Sequence, residues 1–158
     1  MNELRRNHKV TGGATTDPPA FQLLNEVGII DQLAQHRAEQ LLAPELNMPQ
    51  FIVLNHLVRR GCDAAQIDLA HAMQVTKGAM SNTVSRLLDK GYITVQPDPD
   101  DGRGKRVSLS TAGRRARDRA VAKLGRGLEG MAEVLSAQEV EYTLMALRKL
   151  RVWLDEQR

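Results

Sequence analysis

Gly78, Ser81, Asn82, Ser85 and Asp89 recur at intervals that bring them to one side of an α-helix. Short side chains with donors and acceptors suit base edges in a DNA major groove, where asparagine bonds adenine bidentately and serine bonds either kind of edge. Lys77 and Arg86 are assigned to phosphate, contacts that fix register without reading sequence. A second cluster, Arg103, Lys105 and Arg106, stands at or beside the run Pro97-Asp98-Pro99-Asp100-Asp101-Gly102-Arg103-Gly104, which is dense in turn formers. Gly102 and Gly104 let the backbone approach DNA closely, and Asp101 can orient the Arg103 guanidinium by a charge-assisted bond. An arginine so aimed fits the narrow, negative minor groove beside the helix's own groove.

These residues need a frame, and residues 66–106 supply one. Apolar periodicity over 67–73 and 80–88 predicts two helices joined only by Gln74, Val75 and Thr76, the short connection of a helix-turn-helix. Thr76 is the natural N-cap, ahead of a first turn of Lys77, Gly78 and Ala79, and Val75 and Met80 then fall at the positions of a hydrophobic staple. Met80, Val84, Leu87 and Leu88 form the buried side. Gly91 stops the helix, after which the period changes to 2 and predicts strands over 92–96 and 105–110 around an extended tip. Helix, turn, helix and basic hairpin in this order predict a winged helix-turn-helix. The same frame also serves as a protein-interaction module that binds no DNA, so that alternative stays open.

Residues 46–51 (LNMPQF), 75–83 (VTKGAMSNT), 98–107 (DPDDGRGKRV) and 21–30 (FQLLNEVGII) resemble the MarR family of bacterial winged-helix regulators. The resemblance covers nearly everything from Phe21 to Arg158, and Asp101 with Arg103 is its most specific part. The first eighteen or so residues lie outside it. Gly102 departs from the pattern, since many wings of the family carry a further arginine there. This leaves the tip more dependent on Lys105 and Arg106. The resemblance implies a homodimer joined by both terminal regions and a small-molecule effector bound where these meet the winged domain, changing the separation of the two DNA heads.

The chain has 158 residues, 42% of them hydrophobic but only 3% aromatic, so the core is aliphatic. Its net charge of +3 is compatible with nucleic acid without demanding it. The placement of charge says more. Arg114, Arg115, Arg117, Arg119, Lys123 and Arg126 share one segment with Asp118 alone as counter-charge. Cations in first helical turns oppose the macrodipole, so either phosphate or plain solvation explains Arg114 and Arg115.

Residues 1–19 read as a flexible polar arm, either without a role or entering a minor groove. Over 21–42, Leu23, Val27, Ile30, Ala34 and Leu41, flanked by Leu24, Ile29 and Leu33, make a stripe wider than one small core needs. The last helix opens with a capping box, Ser136 and Glu139, and continues with Val140, Leu144, Leu147, Leu150, Trp153 and Leu154 at helical spacing. Residues 111–135 predict one long helix weakened by Gly125, Gly127 and Gly130, a hinge or a packing accommodation. The expected organisation is an arm (1–19), a dimerisation helix (20–46), a winged DNA-binding domain (47–111), and a long connecting helix followed by a C-terminal dimerisation helix (112–158). The fold class is mainly α with a small antiparallel β-wing (α+β).

Enzyme readings fail. His8, His36, His56 and His71 are scattered, with no paired His or Cys spacing for a metal, no nucleophile elbow and no phosphate-cradling loop after a strand. No cofactor is expected. His36 and His56 are the candidates for an effector pocket, against the reading of partly exposed helix histidines. Cys62, a lone cysteine near Arg59 and Arg60, offers a redox switch as the competing mode of control. No membrane span or signal peptide is expected, and the setting is cytoplasmic. The expected partners are double-stranded DNA, a second copy of the chain and a small-molecule effector, and the expected activity is repression.

Overall fold

Asn47, Thr76, Ser110 and Ser136 each precede a helix, and each side chain accepts the backbone N–H three residues on. Such caps satisfy orphan donors of a first turn and fix where a helix begins. In the computed structural model, which describes residues 17–61, 63–99, 101 and 104–157, the order is α1 (Pro19–Leu42), α2 (Met48–Arg60), β1 (Asp63–Ala65), α3 (Gln66–Ala72), α4 (Lys77–Asp89), β2 (Ile93–Pro97), β3 (Lys105–Leu109), α5 (Thr111–Gly127), a short 3-10 helix (Glu129–Glu133) and α6 (Ala137–Glu156). Most of the N-terminal arm, Cys62, Gly102 and Arg103 lie outside the described residues.

The chain divides into two units, Met1–His36 and Arg37–Arg158. In the first, the described part is most of α1, and Phe21, Leu23, Leu24, Val27, Ile29, Ile30 and Leu33 are all exposed. In the second, Leu42, Leu46, Val53, Leu54, Leu57, Leu69, Met80, Val84, Leu87, Ile93 and Val107 make one core. It is aliphatic, as the composition requires. Within α6, Tyr142, Leu144, Met145, Val152, Trp153 and Leu154 are exposed, and the helix buries no residue completely.

The sheet has three antiparallel strands in the order β1-β3-β2. Asp63 opposes Ser108 and Ala65 opposes Arg106, while Ile93 opposes Leu109 and Pro97 opposes Lys105. The strand β1 adds to the expected hairpin. Three residues, Asp-Ala-Ala, are too few and too weakly apolar to show a period of 2.

Two further expectations change. Leu88 is 46% exposed rather than buried, because Met80, Val84 and Leu87 already fill the core-facing arc of α4, and Val75, ahead of the cap, is 42% exposed. The long helix expected over 111–135 ends at Gly127, where Leu128 N donates to Gly125 O and the 3-10 helix follows. A Cβ at Gly127 would overlap the Leu41 side chain, and Arg37 Nε donates to Gly127 O at 3.1 Å. Gly127 thus permits a close approach, whereas a Cβ at Gly125 would meet open space.

Candidate nucleic-acid interface

The turn between α3 and α4 is closed by Val75 N donating to Ala70 O at 3.1 Å, with Gln74 at φ 53°. Thr76 then caps α4, its Oγ1 accepting from Ala79 N at 3.2 Å. Met80, Val84 and Leu87 anchor the inner side of α4 in the core. Gly78, Asn82, Ser85 and Asp89 consequently stand exposed on the outer side, flanked by the exposed Lys77, Ala79, Ser81 and Arg86. A Cβ at Gly78 would meet only Thr76 Oγ1, at 4.0 Å, so nothing within the chain demands glycine there. At the far end, Gly91 takes φ 69° and Tyr92 begins the turn into β2.

Ser81 is not isolated. Gln66 Nε2, from the first turn of α3, donates to Ser81 Oγ at 2.8 Å. The pair borders a cleft of about 580 Å³ between the start of α3, the first turns of α4 and the hairpin, lined also by Asp68, Lys77, Lys105 and Arg106. Sequence reasoning missed Gln66 because its partner stands fifteen residues away on another element. No local spacing reports such a bond.

At the hairpin, Asp98 N donates to Gly104 O at 3.0 Å and Gly104 N to Asp101 O at 2.8 Å, closing the tip. A Cβ at Gly104 would stand 3.1 Å from both Asp101 Oδ2 and Asp98 Cβ, so the tip is tight there. Lys105 and Asp101 are exposed. Arg106, expected to face phosphate, is engaged instead by Asp63 Oδ2 at 2.9 Å and Asp98 Oδ1 at 3.5 Å. The hydrogen bond to Asp63, and then the charge of Asp98, push its pKa up. Asp98 is 6% exposed, so Arg106 neutralises a buried carboxylate and ties β1 to the base of the tip.

The basic run on α5 is likewise partly consumed. Arg117 donates to Asn55 Oδ1 at 2.8 and 3.1 Å and to Asp118 Oδ1 at 3.1 Å. Arg119 bonds Glu45, and Lys123 lies 3.9 Å from the same carboxylate. The Arg119 bond above all holds the Glu45 carboxyl below its ordinary value. Arg114, Arg115 and Arg126 are exposed. His36 is exposed on α1; His56 is half-buried on α2, its pKa lowered first by burial and then by the charges of Arg60 and Arg59. Among the described residues no cluster of His, Cys, Asp or Glu could hold a metal ion, and no helix is long and apolar enough to cross a membrane.

Comparison with known proteins places this frame. Residues 45–104 match the profile of the MarR family. The structure is similar to a mutant of MarR from E. coli complexed with operator DNA, at 26% identity and a TM-score of 0.67, covering 83% of this chain and 94% of that one. A probable transcriptional regulator from Pseudomonas aeruginosa is 29% identical with a TM-score of 0.61, over 81% and 98% of the two chains. A MarR-family regulator from Rhodococcus sp. RHA1, at 18% identity and a TM-score of 0.74 over 85% and 96%, shares the fold. Residues 45–104 thus form a MarR-type winged helix-turn-helix, and along four-fifths of its length the chain is similar to winged-helix transcriptional regulators of known structure.

Proposed function

We propose that the chain is a sequence-specific DNA-binding regulator, acting as a homodimeric repressor on a pseudo-palindromic operator. The observation that carries this reading is the outer side of α4, where Gly78, Asn82, Ser85 and Asp89 stand exposed on a helix whose inner side is anchored in the core. An α-helix so presented fits the major groove. The similar E. coli protein was crystallised with operator DNA, which supports the same use of the fold here. Asn82, Ser81 and Ser85 read base edges. Lys77, Arg86 and Lys105 contact phosphate, Thr76 and Ala79 set the leading turn, and Arg103 enters the flanking minor groove with Asp101 orienting it. The regulator acts in the cytoplasm.

Homodimer formation is supported by the exposed apolar side chains of α1 and α6. Covering such a side chain stabilises by about 1.5–3 kcal/mol. A twofold dimer sets two α4 helices roughly 34 Å apart, one turn of DNA. A small-molecule effector controls the spacing of the heads. A gel-shift with genomic fragments at low and moderate salt, followed by selection of duplexes from a random pool, tests the reading. A two-part consensus with half-sites one turn apart is expected; recovery of no preferred duplex would sink it.

A further inference from the structure

Gln66 lies on α3, outside the helix expected to read DNA, yet its side chain reaches the flank of that helix. The bond from Gln66 Nε2 to Ser81 Oγ, at 2.8 Å, joins the first turn of α3 to the second turn of α4. It is not a helix cap. The N-cap of α3 is Ala65, which has no side-chain acceptor, and the Ser81 hydroxyl bonds an amide side chain rather than a backbone group. Thr83, by contrast, turns its hydroxyl back onto Ala79 O at 3.1 Å, the usual fate of a hydroxyl inside a helix. Ser81 is thus held away from its own backbone, exposed, beside Asn82 on the outer side of α4.

The chemistry of the pair follows from counting donors and acceptors. With the amide donating to Ser81 Oγ, the Ser81 proton remains as a donor and Gln66 Oε1 as an acceptor. With the amide rotated by half a turn, Ser81 donates to Gln66 Oε1, and the pair offers an amide N–H and the serine oxygen. Either way it presents a donor and an acceptor side by side, with a further amide N–H left over. Adenine offers the complement in the major groove, N7 as acceptor and the N6 amino group as donor, whereas guanine's two acceptors would leave the acceptor of the pair without a donor.

We propose that Gln66 is a specificity-determining residue that acts with Ser81 as a single donor–acceptor unit, reading one A·T base pair in each half-site. This rests on the reading of α4 as the major-groove helix. The cleft at the pair has Lys77 and Lys105 on its border, cations suited to the phosphates on either side of the base so read.

The test is a set of variants measured against the operator selected by the native protein and against its single-base changes. Gln66→Ala and Ser81→Ala should each relax discrimination at the same base pair by about 5- to 150-fold, the range of a good bidentate contact. The double variant should lose no more than Ser81→Ala alone, since partners in one unit are not additive. Affinity for unrelated duplex should be unchanged in all three. Gln66→Glu supplies a readout that a purely structural bond would not move: a carboxylate accepts the serine hydrogen bond and leaves only acceptors, so preference should shift from adenine towards cytosine, whose N4 is a donor. Thermal melting of each variant checks folding, and Gln66→Met, which keeps length without the hydrogen bond, should behave as Gln66→Ala. Unaltered discrimination in Gln66→Ala and Gln66→Glu, relaxation at two different base pairs, or an equal loss on every duplex would each overturn the inference. Failure of the native protein to select any operator would instead overturn the DNA-binding reading itself.

Discussion

Lys105 and Arg106 are adjacent cations on β3, yet alanine at each should leave different signatures in DNA binding. Lys105 is exposed and forms no ion pair with the described residues, whereas Arg106 is shared between Asp63 and the buried Asp98. A cation that displaces counterions from one phosphate steepens log K against log salt by ~0.9, so a dimer losing both copies of Lys105 should have a slope shallower by about 1.8. Between about 0.05 and 0.2 M salt, a fourfold range, that amounts to roughly 12-fold less salt-driven weakening. Arg106→Ala removes the same formal charge but should leave the slope in place, because its guanidinium is already neutralised by carboxylates. Any loss of affinity should then be a parallel displacement of the line. Its cost should show in the fold instead. Asp98 loses its Arg106 partner while buried, which is unfavourable for a carboxylate, so Arg106→Ala should melt at a lower temperature and Lys105→Ala should not. Anisotropy titrations of a labelled operator at several salt concentrations, with thermal melts of the same preparations, check both halves. An Arg106→Ala protein that melts normally and loses as much slope as Lys105→Ala would refute the structural role and return Arg106 to the phosphates.

Asn82→Ala should lower the ratio of operator to scrambled-duplex affinity by ~1 to 3 kcal/mol while leaving non-specific binding intact; an unchanged ratio would remove Asn82 from the reading set. Gly125→Ala fills open space on α5 and should raise the denaturation midpoint through up to ~1 kcal/mol of helix preference, whereas Gly127→Ala must displace Leu41 and should show no such gain. Deleting residues 140–158 should yield aggregates or monomers without operator affinity, and a soluble dimer by sedimentation that binds normally would move the interface elsewhere. Glu45, whose folded pKa lies below its ordinary 4.5, lends stability that is present above that value and lost as pH falls through the lowered pKa. Glu45→Gln should therefore flatten the acid limb of a melting-temperature profile, and an identical limb would show that the carboxylate contributes nothing.

The elements that carry the site were readable because each is announced locally. Thr76 caps, Met80, Val84 and Leu87 repeat at 3.6, Gly91 takes a positive φ, and the Ser136–Glu139 box opens α6. What escaped is whatever depends on a partner distant in the chain. Asp98 and Arg106 read separately as a turn former and a wing cation, nothing local singles out Asp63, and only the pairing of β1 with β3 brings the three together. The same holds for Arg117, Arg119 and Lys123, an open basic face by spacing but engaged by Asn55, Asp118 and Glu45 once α5 packs. Gly125, Gly127 and Gly130 stand out by their position in an expected helix, while Gly113 near its start does not. Which of those three meets a neighbour required the position of Leu41.

Those long-range bonds also determine how α4 is carried. At its leading half, α4 is held to α3 through Ser81 and Gln66. At its trailing end, Lys90 Nζ donates to Glu45 O at 2.6 Å and to Gln50 Oε1 at 3.1 Å, while Ser110 Oγ donates to Gly91 O at 2.7 Å. Glu45 is in turn bonded through its carboxylate to Arg119 of α5 and to Tyr92 at 3.4 Å. Gly113 makes this junction tight, because a Cβ there would collide with the carbonyl of Tyr92. The start of α5 and the end of α4 therefore share one set of contacts. Under the proposed control by spacing, these contacts are what would pass a displacement of the start of α5 to α4. Control by spacing, as proposed for the effector, needs such a rigid connection, since a head that flexed at Gly91 could keep both α4 helices in their grooves whatever the effector did above them.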